Sequence, residues 1–305
     1  MSPDSARTRL DLDALARRVA DGLAHGKQLA TLEAAAGAAP PGVVYASDKA
    51  RLGDFIDHTL LRAEATAHDI ERLCDEALEH RFAVVCVNPA WVPLCARRLA
   101  GSGVRVAAVA GFPLGASRSE VKAAEAARAV QDGAVEVDMV AAVGHIRSGD
   151  WSYVADDIAA VVEAARAAAG GALVKVIIES ATLGPIEIIK TCSLARGAGA
   201  GYVKTSTGLH AAGGATAEAV ALMRLVAGDA MGVKAAGGVR DCNAAFRMFA
   251  AGATRIGTSS GVAMANCTGP GPRRLADLLG AESGDPRRCA TCSGPAGSGV
   301  ADERH

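Results

Sequence analysis

The sequence predicts a parallel (β/α)8 barrel, or TIM barrel, with an N-terminal helical extension and a disordered C-terminal tail. Eight short segments are apolar throughout, which is typical of a parallel sheet covered on both faces. Helical patterns separate them, and eight βα units in roughly 210 residues suit a closed barrel, with an open doubly wound sheet as the alternative. Hydrophobic residues make up 50% of the chain and aromatic residues only 3%, which indicates a core packed from small side chains.

Predicted strands and helices alternate along the chain, in an order set by the periodicity of the apolar residues. The predicted strands are Phe55–Thr59, Ala83–Asn88, Arg105–Gly111, Val135–Val140, Leu173–Glu179, Tyr202–Ser206, Gly232–Gly237 and Arg255–Ser259. The predicted helices are His68–His80, Pro89–Ala100, Ser119–Asp132, Trp151–Ala169, Pro185–Gly197, Thr216–Gly228, Asp241–Ala251 and a short Arg273–Leu279.

Composition divides the chain into three parts. Residues 1–50 are predicted to be an extension with an amphipathic helix at Asp11–Leu23 and an Ala/Gly/Pro linker at Ala34–Val43. Residues 51–280 are predicted to form the barrel, and the Gly/Ser/Pro-rich residues 281–305 are predicted to form a disordered tail. The sequence assigns no role to the extension or to the tail.

Charge and cysteine content narrow the class of protein. A net charge of −1 and few aromatic residues argue against nucleic-acid binding. No apolar run is long enough to span a membrane, and the polar opening segment lacks the pattern of a secretory signal. The eight cysteines lie mostly in apolar patterns and fit buried free thiols, so we expect a cytoplasmic protein.

Lysine is rare in this chain, yet two lysines lie in strands near the predicted catalytic rim. Of 32 basic residues seven are lysine, and among these Lys204 and Lys234 lie on neighbouring strands, two positions from the rim. A buried ammonium is costly, and a lysine close to a second cation can lose its proton and become an amine nucleophile. The pair therefore points to Schiff-base chemistry, although spacing alone does not say which lysine is the nucleophile.

Several carboxylates are also predicted to lie in or near the barrel interior, where they could pair with the lysines. Strand alternation turns Glu136 and Asp138 to one face, towards the barrel interior. Asp138 is either the counter-ion of a buried lysine or a general acid/base acting through water, and the two roles are compatible. Glu179 is a further candidate partner, and Lys175, deeper in its strand, is predicted to be an ion-pair member.

Small-residue loops follow the seventh and eighth strands, where barrels commonly bind phosphate through backbone N–H groups. Gly237 and Gly238 lie in one loop, and Gly257, Ser259 and Ser260 lie in the other.

The sequence gives little support for a metal site. Asp57 and His58 face opposite ways, and Cys289 and Cys292 have zinc-like spacing but no second ligand pair.

Several of these segments together resemble the deoxyribose-phosphate aldolase family over about residues 51–280. The matching motifs are Phe-Ile-Asp-His-Thr-Leu-Leu (55–61), Val-Cys-Val-Asn-Pro (85–89), Gly-Phe-Pro-Leu-Gly (111–115), Glu-Val-Asp-Met-Val (136–140), Val-Lys-Val-Ile-Ile-Glu (174–179), Val-Lys-Thr-Ser-Thr-Gly (203–208), Val-Lys-Ala-Ala-Gly-Gly-Val-Arg (233–240) and Arg-Ile-Gly-Thr-Ser-Ser-Gly (255–261). The segments 141–146 and 209–214 differ from the family pattern, and the second puts substrate preference in doubt.

The resemblance implies a role for each matching residue. Lys204 would form the Schiff base, with Asp138 and Lys234 as the proton donor and acceptor pair. The phosphate-binding positions would be Gly237, Gly238, Gly257, Ser259 and Ser260, and the supporting polar positions would be Asp57, Thr59, Lys175 and Thr207.

The reaction implied is the reversible cleavage of 2-deoxy-D-ribose 5-phosphate to D-glyceraldehyde 3-phosphate and acetaldehyde, in deoxynucleoside breakdown. No metal or organic cofactor is expected, the partners are the small-molecule substrates, and the family is commonly dimeric or tetrameric. The alternatives are another Schiff-base aldolase or transaldolase, an isomerase or epimerase that uses a carboxylate base, and a barrel that binds a sugar phosphate without turning it over.

Overall fold

A computed structural model of the protein describes residues 51–268. Within them eight parallel strands form a closed barrel in chain order, and β1 pairs with β8. The strands are β1 Ile56–Leu60, β2 Val84–Val87, β3 Arg105–Ala110, β4 Glu136–Val140, β5 Leu173–Ile177, β6 Tyr202–Lys204, β7 Gly232–Ala236 and β8 Arg255–Thr258. The predicted barrel is confirmed, and the pairing of β1 with β8 excludes the open sheet.

Helices cover the outside of the barrel. They are α1 Ala67–His80, α2 Val92–Arg98, α3 Ser119–Gln131, α4 Val143–Ser148, α5 Trp151–Ala167, α6 Pro185–Gly197, α7 Ala217–Ala227, α8 Cys242–Ala250 and α9 Gly261–Thr268. Several begin at a side-chain cap, as where Thr66 accepts a hydrogen bond from the Asp69 amide before α1. No helix in this part of the chain is long and apolar enough to cross a membrane.

Two short helices were not predicted. α4 spans six residues and follows Ala142, which provides no side-chain cap, so nothing in the sequence marks its start. α9 contains no charged residue and directly follows the loop after β8. The predicted helices at Asp11–Leu23 and Arg273–Leu279, the linker and the tail lie outside the described residues.

Side chains alternate across each strand, so the barrel has an outer and an inner layer. Outward residues such as Ile56, Val137 and Ile256 join the large core beneath the helices. Inward residues of β2 and β3 form a separate apolar cluster of Val84, Cys86, Ala107 and Val109. The remaining strands line the interior mainly with charged side chains, and this half of the barrel holds the candidate site.

Candidate active site

Seven charged side chains fill the charged half of the barrel, and none is more than 7% exposed. We call them the axial cluster: Asp57, Glu136, Asp138, Lys175, Lys204, Lys234 and Arg255. Each comes from an inward position of its strand, which is why residues far apart in sequence meet here. Buried charges are tolerated only when they are paired, and every member of the cluster has an oppositely charged neighbour.

Asp138 lies at the centre of the cluster. Its Oδ1 accepts a hydrogen bond from Lys175 at 2.7 Å, and its Oδ2 accepts from Lys204 at 2.8 Å and from Lys234 at 2.7 Å. Burial alone would raise the pKa of this carboxyl, but the three ammonium groups outweigh it and hold the pKa well below its ordinary value. The counter-ion role predicted for Asp138 is confirmed.

Lys204 and Lys234 are register partners on adjacent strands, as predicted. They differ in the carboxylates they reach. Lys234 contacts both Asp57 and Asp138, and these two carboxylates overcome the effect of burial and raise its pKa. Lys204 contacts a single carboxylate among the described residues, so burial dominates and lowers its pKa, with a smaller contribution from Lys234. The structure thus distinguishes two lysines that sequence spacing left equivalent, and desolvation matters more than the repulsion that the sequence suggested.

Lys175 lies among three carboxylates, those of Asp57, Glu136 and Asp138. Burial works against its charge, but the carboxylates prevail and raise its pKa well above the ordinary value. The prediction that Lys175 is an ion-pair member is therefore confirmed.

Arg255 and Glu136 form the layer of the cluster next to Lys175. The Arg255 guanidinium donates to Asp57 Oδ1 at 2.9 Å and lies 3.9 Å from Glu136 Oε1. Its Cζ lies 5.6 Å from the centre of the Tyr202 ring. The sequence predicts Arg255 as the first residue of the eighth strand and of a matching motif, but it assigns this arginine no role at the site. Strand alternation back from Gly257 would have turned it inward, which is the signal that could have identified it.

Polar residues near the carboxyl ends of β1 and β5 pair locally. The Thr59 hydroxyl donates to the backbone carbonyl of Asp57 at 2.8 Å. The Thr207 hydroxyl donates to Glu179 Oε2 at 2.6 Å, and the Thr207 amide also points at that carboxylate. Glu179 has φ of 54°, a left-handed conformation that is uncommon outside glycine. Its carboxylate accepts hydrogen bonds from Thr207, whereas the sequence suggested that it pairs inside the barrel.

The loops after β6 and β7 approach each other closely. Gly237 and Gly238 have φ of 85° and 78°, which glycine adopts without strain. The Ala215 amide donates to the Gly237 carbonyl at 2.9 Å, and a Cβ on Gly214 would collide with that carbonyl. The end of the segment 209–214, at Gly214, thus lies directly against the predicted phosphate loop.

The loop after β8 leads directly into α9. The Ser260 amide donates to Thr258 Oγ1 at 3.0 Å, and the Met264 amide donates to the Ser260 carbonyl at 3.1 Å. Ser259 and Ser260 therefore precede the first turn of α9. Gly257 lies deeper, where a Cβ would be 2.8 Å from Lys234 Cε, so the absence of a side chain there makes room for this lysine.

Two further candidate residues, His58 and Cys86, are not members of the axial cluster. His58 faces outward, and its Nε2 contacts Glu76 Oε2 at 2.6 Å, while its buried Nδ1 has no hydrogen-bond partner among the described residues. Cys86 faces inward, 3.9 Å from Asp138 Oδ2, and burial raises the pKa of its thiol to about 11. Residues 51–268 contain no group of three or more His, Cys, Asp or Glu side chains arranged to hold a metal ion.

The closed barrel, with lysines and carboxylates in its interior, places the chain among the (β/α)8-barrel enzymes. A model of the DeoC/LacD family aldolase matches residues 54–266. The chain belongs to this aldolase family.

Curated relatives share about half of their residues with this chain. The deoxyribose-phosphate aldolase of Brevibacillus brevis is 54% identical over 223 residues, which cover 72% of this chain and 99% of the relative. That of Lysinibacillus sphaericus is 56% identical over 212 residues, covering 70% and 93%. A solved deoxyribose phosphate aldolase from Aeropyrum pernix, described as tetrameric, is 34% identical, covers 71% of this chain and 90% of its own, and has a TM-score of 0.66.

Proposed function

We propose that this chain is a class I aldolase that reversibly cleaves 2-deoxy-D-ribose 5-phosphate to D-glyceraldehyde 3-phosphate and acetaldehyde. The observation that carries the proposal is the difference between Lys204 and the other two lysines of the axial cluster, Lys175 and Lys234. Lys204 has the fewest carboxylate neighbours and a lowered pKa, and an imine forms only from an unprotonated amine. The names of the curated relatives support the choice of substrate.

The proposed reaction begins when the Lys204 amine adds to the aldehyde carbon of the open-chain sugar, and loss of water gives the imine. The C3 hydroxyl then loses its proton, the C2–C3 bond breaks, and its electron pair moves towards the imine to form an enamine. Glyceraldehyde 3-phosphate leaves. Protonation of the enamine carbon and addition of water release acetaldehyde and restore the amine.

The neighbouring charges fit the proton transfers in this sequence. Lys234 keeps its ammonium and can donate, whereas Asp138 keeps its carboxylate and can accept through water. Asp57 and Lys175 support the pair by fixing its geometry, and Thr59 and Thr207 hold the surrounding backbone and Glu179.

The substrate phosphate is assigned to the loops after β7 and β8. Backbone N–H groups at Gly237 and Gly238 and before α9 suit an anion, and Ser259 and Ser260 add hydroxyl donors. Gly257 is assigned to the same phosphate site. The absence of a side chain at Gly257 also leaves room for the Lys234 side chain. No cofactor enters the proposed sequence of steps.

We also propose that the enzyme is a homo-oligomer, a dimer or a tetramer, because the Aeropyrum pernix relative is described as tetrameric. The cytoplasm is its proposed location, which suits the buried free thiols of Cys74, Cys86, Cys95 and Cys192.

Borohydride reduction with acetaldehyde, followed by peptide mass mapping, tests the imine. We expect an ethyl adduct on Lys204, and none in a Lys204→Met variant, because methionine has similar volume and no amine. Lys190→Arg is the matched control, since Lys190 lies on α6 outside the barrel and its loss leaves the adduct unchanged.

A label on Lys234, or no label on a chain that still cleaves the sugar phosphate, would contradict the assignment. An adduct on Lys204 without cleavage of 2-deoxyribose 5-phosphate would instead indicate another Schiff-base aldolase.

A further inference from the structure

The charges of the axial cluster do not balance if all seven groups are ionised. Its cations are Lys175, Lys204, Lys234 and Arg255, and its anions are Asp57, Glu136 and Asp138. Four positive charges therefore face three negative ones in a volume closed to water. An unbalanced charge in such a place is expensive, so one cation is under pressure to lose its proton.

Other ionisable groups around Lys204 and Arg255 do not alter this balance. Cys86, from β2, is a thiol at neutral pH because burial raises its pKa. Glu179, beyond β5, accepts its hydrogen bonds from Thr207 and forms no ion pair with the three lysines or Arg255 of the cluster, so it is not counted among the groups in contact there. Tyr202, from β6, presents its ring to Arg255. Arg105, from β3, contacts Glu136 at 2.9 Å, but its side chain is 44% exposed and water screens its charge.

The proton is lost most easily where the fewest carboxylates hold it. Arginine does not give up its proton at usable pH. Lys175 lies among three carboxylates and Lys234 between two, whereas Lys204 has one. The excess charge is therefore relieved at Lys204.

We propose that Arg255 is a positioning residue for the reaction, whose permanent charge, bound to Asp57, leaves the axial cluster one cation in excess and so keeps Lys204 unprotonated. Arg255 acts through the charge balance and does not touch the substrate. Glu136 has the opposite effect, because its carboxylate offsets one cation. The inference rests on the proposed function, since it concerns the amine that forms the imine.

The proposal predicts the direction in which charge-removing variants shift the pH dependence of imine formation. Arg255→Gln leaves three lysines facing three carboxylates, so Lys204 holds its proton more tightly and its reaction needs a higher pH. We expect the acid limb of the trapping profile to move up by about one pH unit. Glu136→Gln moves the limb down, and the double variant returns it close to the wild-type position.

Borohydride trapping of acetaldehyde on Lys204, quantified by mass spectrometry at a series of pH values, measures the limb. Acetaldehyde has no titrating group, so the profile reports the protein and not a substrate phosphate. Arg105→Gln is the matched control, because Arg105 also lies next to Glu136 but is exposed to water. We expect the acid limb of this variant to coincide with that of the wild type.

Two failures are distinguishable. If the wild type gives no adduct on Lys204, the proposed function fails. If the wild type is trapped but Arg255→Gln and Glu136→Gln lose yield equally at all pH values, their role is structural and the charge-balance inference is wrong. If Arg255→Gln does not fold, Glu136→Gln and the double variant still test the charge-balance inference. An acid limb that does not move to lower pH in Glu136→Gln overturns the proposal.

Discussion

Lys204 and Lys175 are both fully enclosed lysines, but they stand in opposite relations to the stability of the fold. Three carboxylates hold Lys175, and together they more than compensate for its loss of hydration. Lys204 has only Asp138, and the balance goes against its charged form. One lysine stabilises the barrel through its charge, while the charged form of the other is disfavoured at the position where the proposed reaction needs an unprotonated amine.

Methionine substitutions separate these two roles. We expect Lys175→Met to lower the free energy of unfolding by about 3–5 kcal/mol, because it leaves buried carboxylates without their partner. Lys204→Met removes an unfavourable amine while Asp138 keeps two lysines, so we expect the melting temperature to stay constant or to rise by about 2–4 °C. Thermal and urea unfolding measure both. An equal loss in the two variants would contradict this reading of Lys204.

The inward charges could be predicted residue by residue only in part. Strand alternation placed Glu136 and Asp138 correctly in the barrel interior, and the order of the strands placed Lys204 beside Lys234. It did not separate Lys204 from Lys234, since the difference depends on Asp57, which reaches one lysine and not the other across the barrel. Contacts between strands far apart in sequence are not visible in the spacing of a single strand.

At the level of elements, α3 and α5 are joined by a buried ion pair outside the barrel. Lys122 Nζ donates to Asp157 Oδ2 at 2.8 Å and to the Val140 carbonyl at 3.0 Å, and Ser119 donates to the other oxygen of Asp157. Both charged side chains are fully buried. The pair therefore fixes two helices to the carboxyl end of β4, at Val140, which is two residues after Asp138.

A double-mutant cycle measures this link between α3 and α5. We expect Lys122→Met to cost about 3–5 kcal/mol in urea unfolding, because Asp157 then stays buried with only Ser119 as a partner. Adding Asp157→Leu should restore part of the loss, since the uncompensated charge is gone. Additive losses in the double variant would show that the two residues act independently.

Strands and long helices were predictable from periodicity, whereas two short helices were not. The eight strands were placed with ends that differ by no more than a few residues, because buried parallel strands are apolar throughout. α4 and α9 are too short for a helical repeat to stand out, and their positions are set by the loops they close. The contribution of α9 to the candidate phosphate site therefore needed the structure.

For the whole molecule, the axial cluster makes stability depend on acid. Asp57 and Asp138 have pKa values lowered by the lysines and Arg255 against the effect of burial. Folded carboxyls with lowered pKa contribute stability that is complete above their ordinary pKa of 3.8 and is lost as the pH falls towards the folded value. The window of acid sensitivity therefore opens below about pH 4 to 5.

Urea unfolding at a series of pH values tests this window. We expect stability to fall below it by about 1.4 kcal/mol per pH unit for each carboxylate that binds a proton on unfolding. Asp57→Asn should reduce that slope. Asp75→Asn, which changes an exposed carboxylate bound to Arg98, should leave it unchanged. A stability that increases as the pH falls below 4 would contradict the role of the cluster.

The pairing of the first strand with the last has a consequence for the order of events in folding. Asp57 lies 177 residues before Lys234 and 198 residues before Arg255. It contacts Arg255 on β8, the strand that pairs with β1, and Lys234 on β7, the strand next to β8. In a chain whose barrel is still open, these groups are hydrated and far apart, and no excess charge weighs on Lys204. In the proposed mechanism, closure of the barrel therefore creates the nucleophile, and a chain whose barrel is still open carries the same lysine without its reactivity.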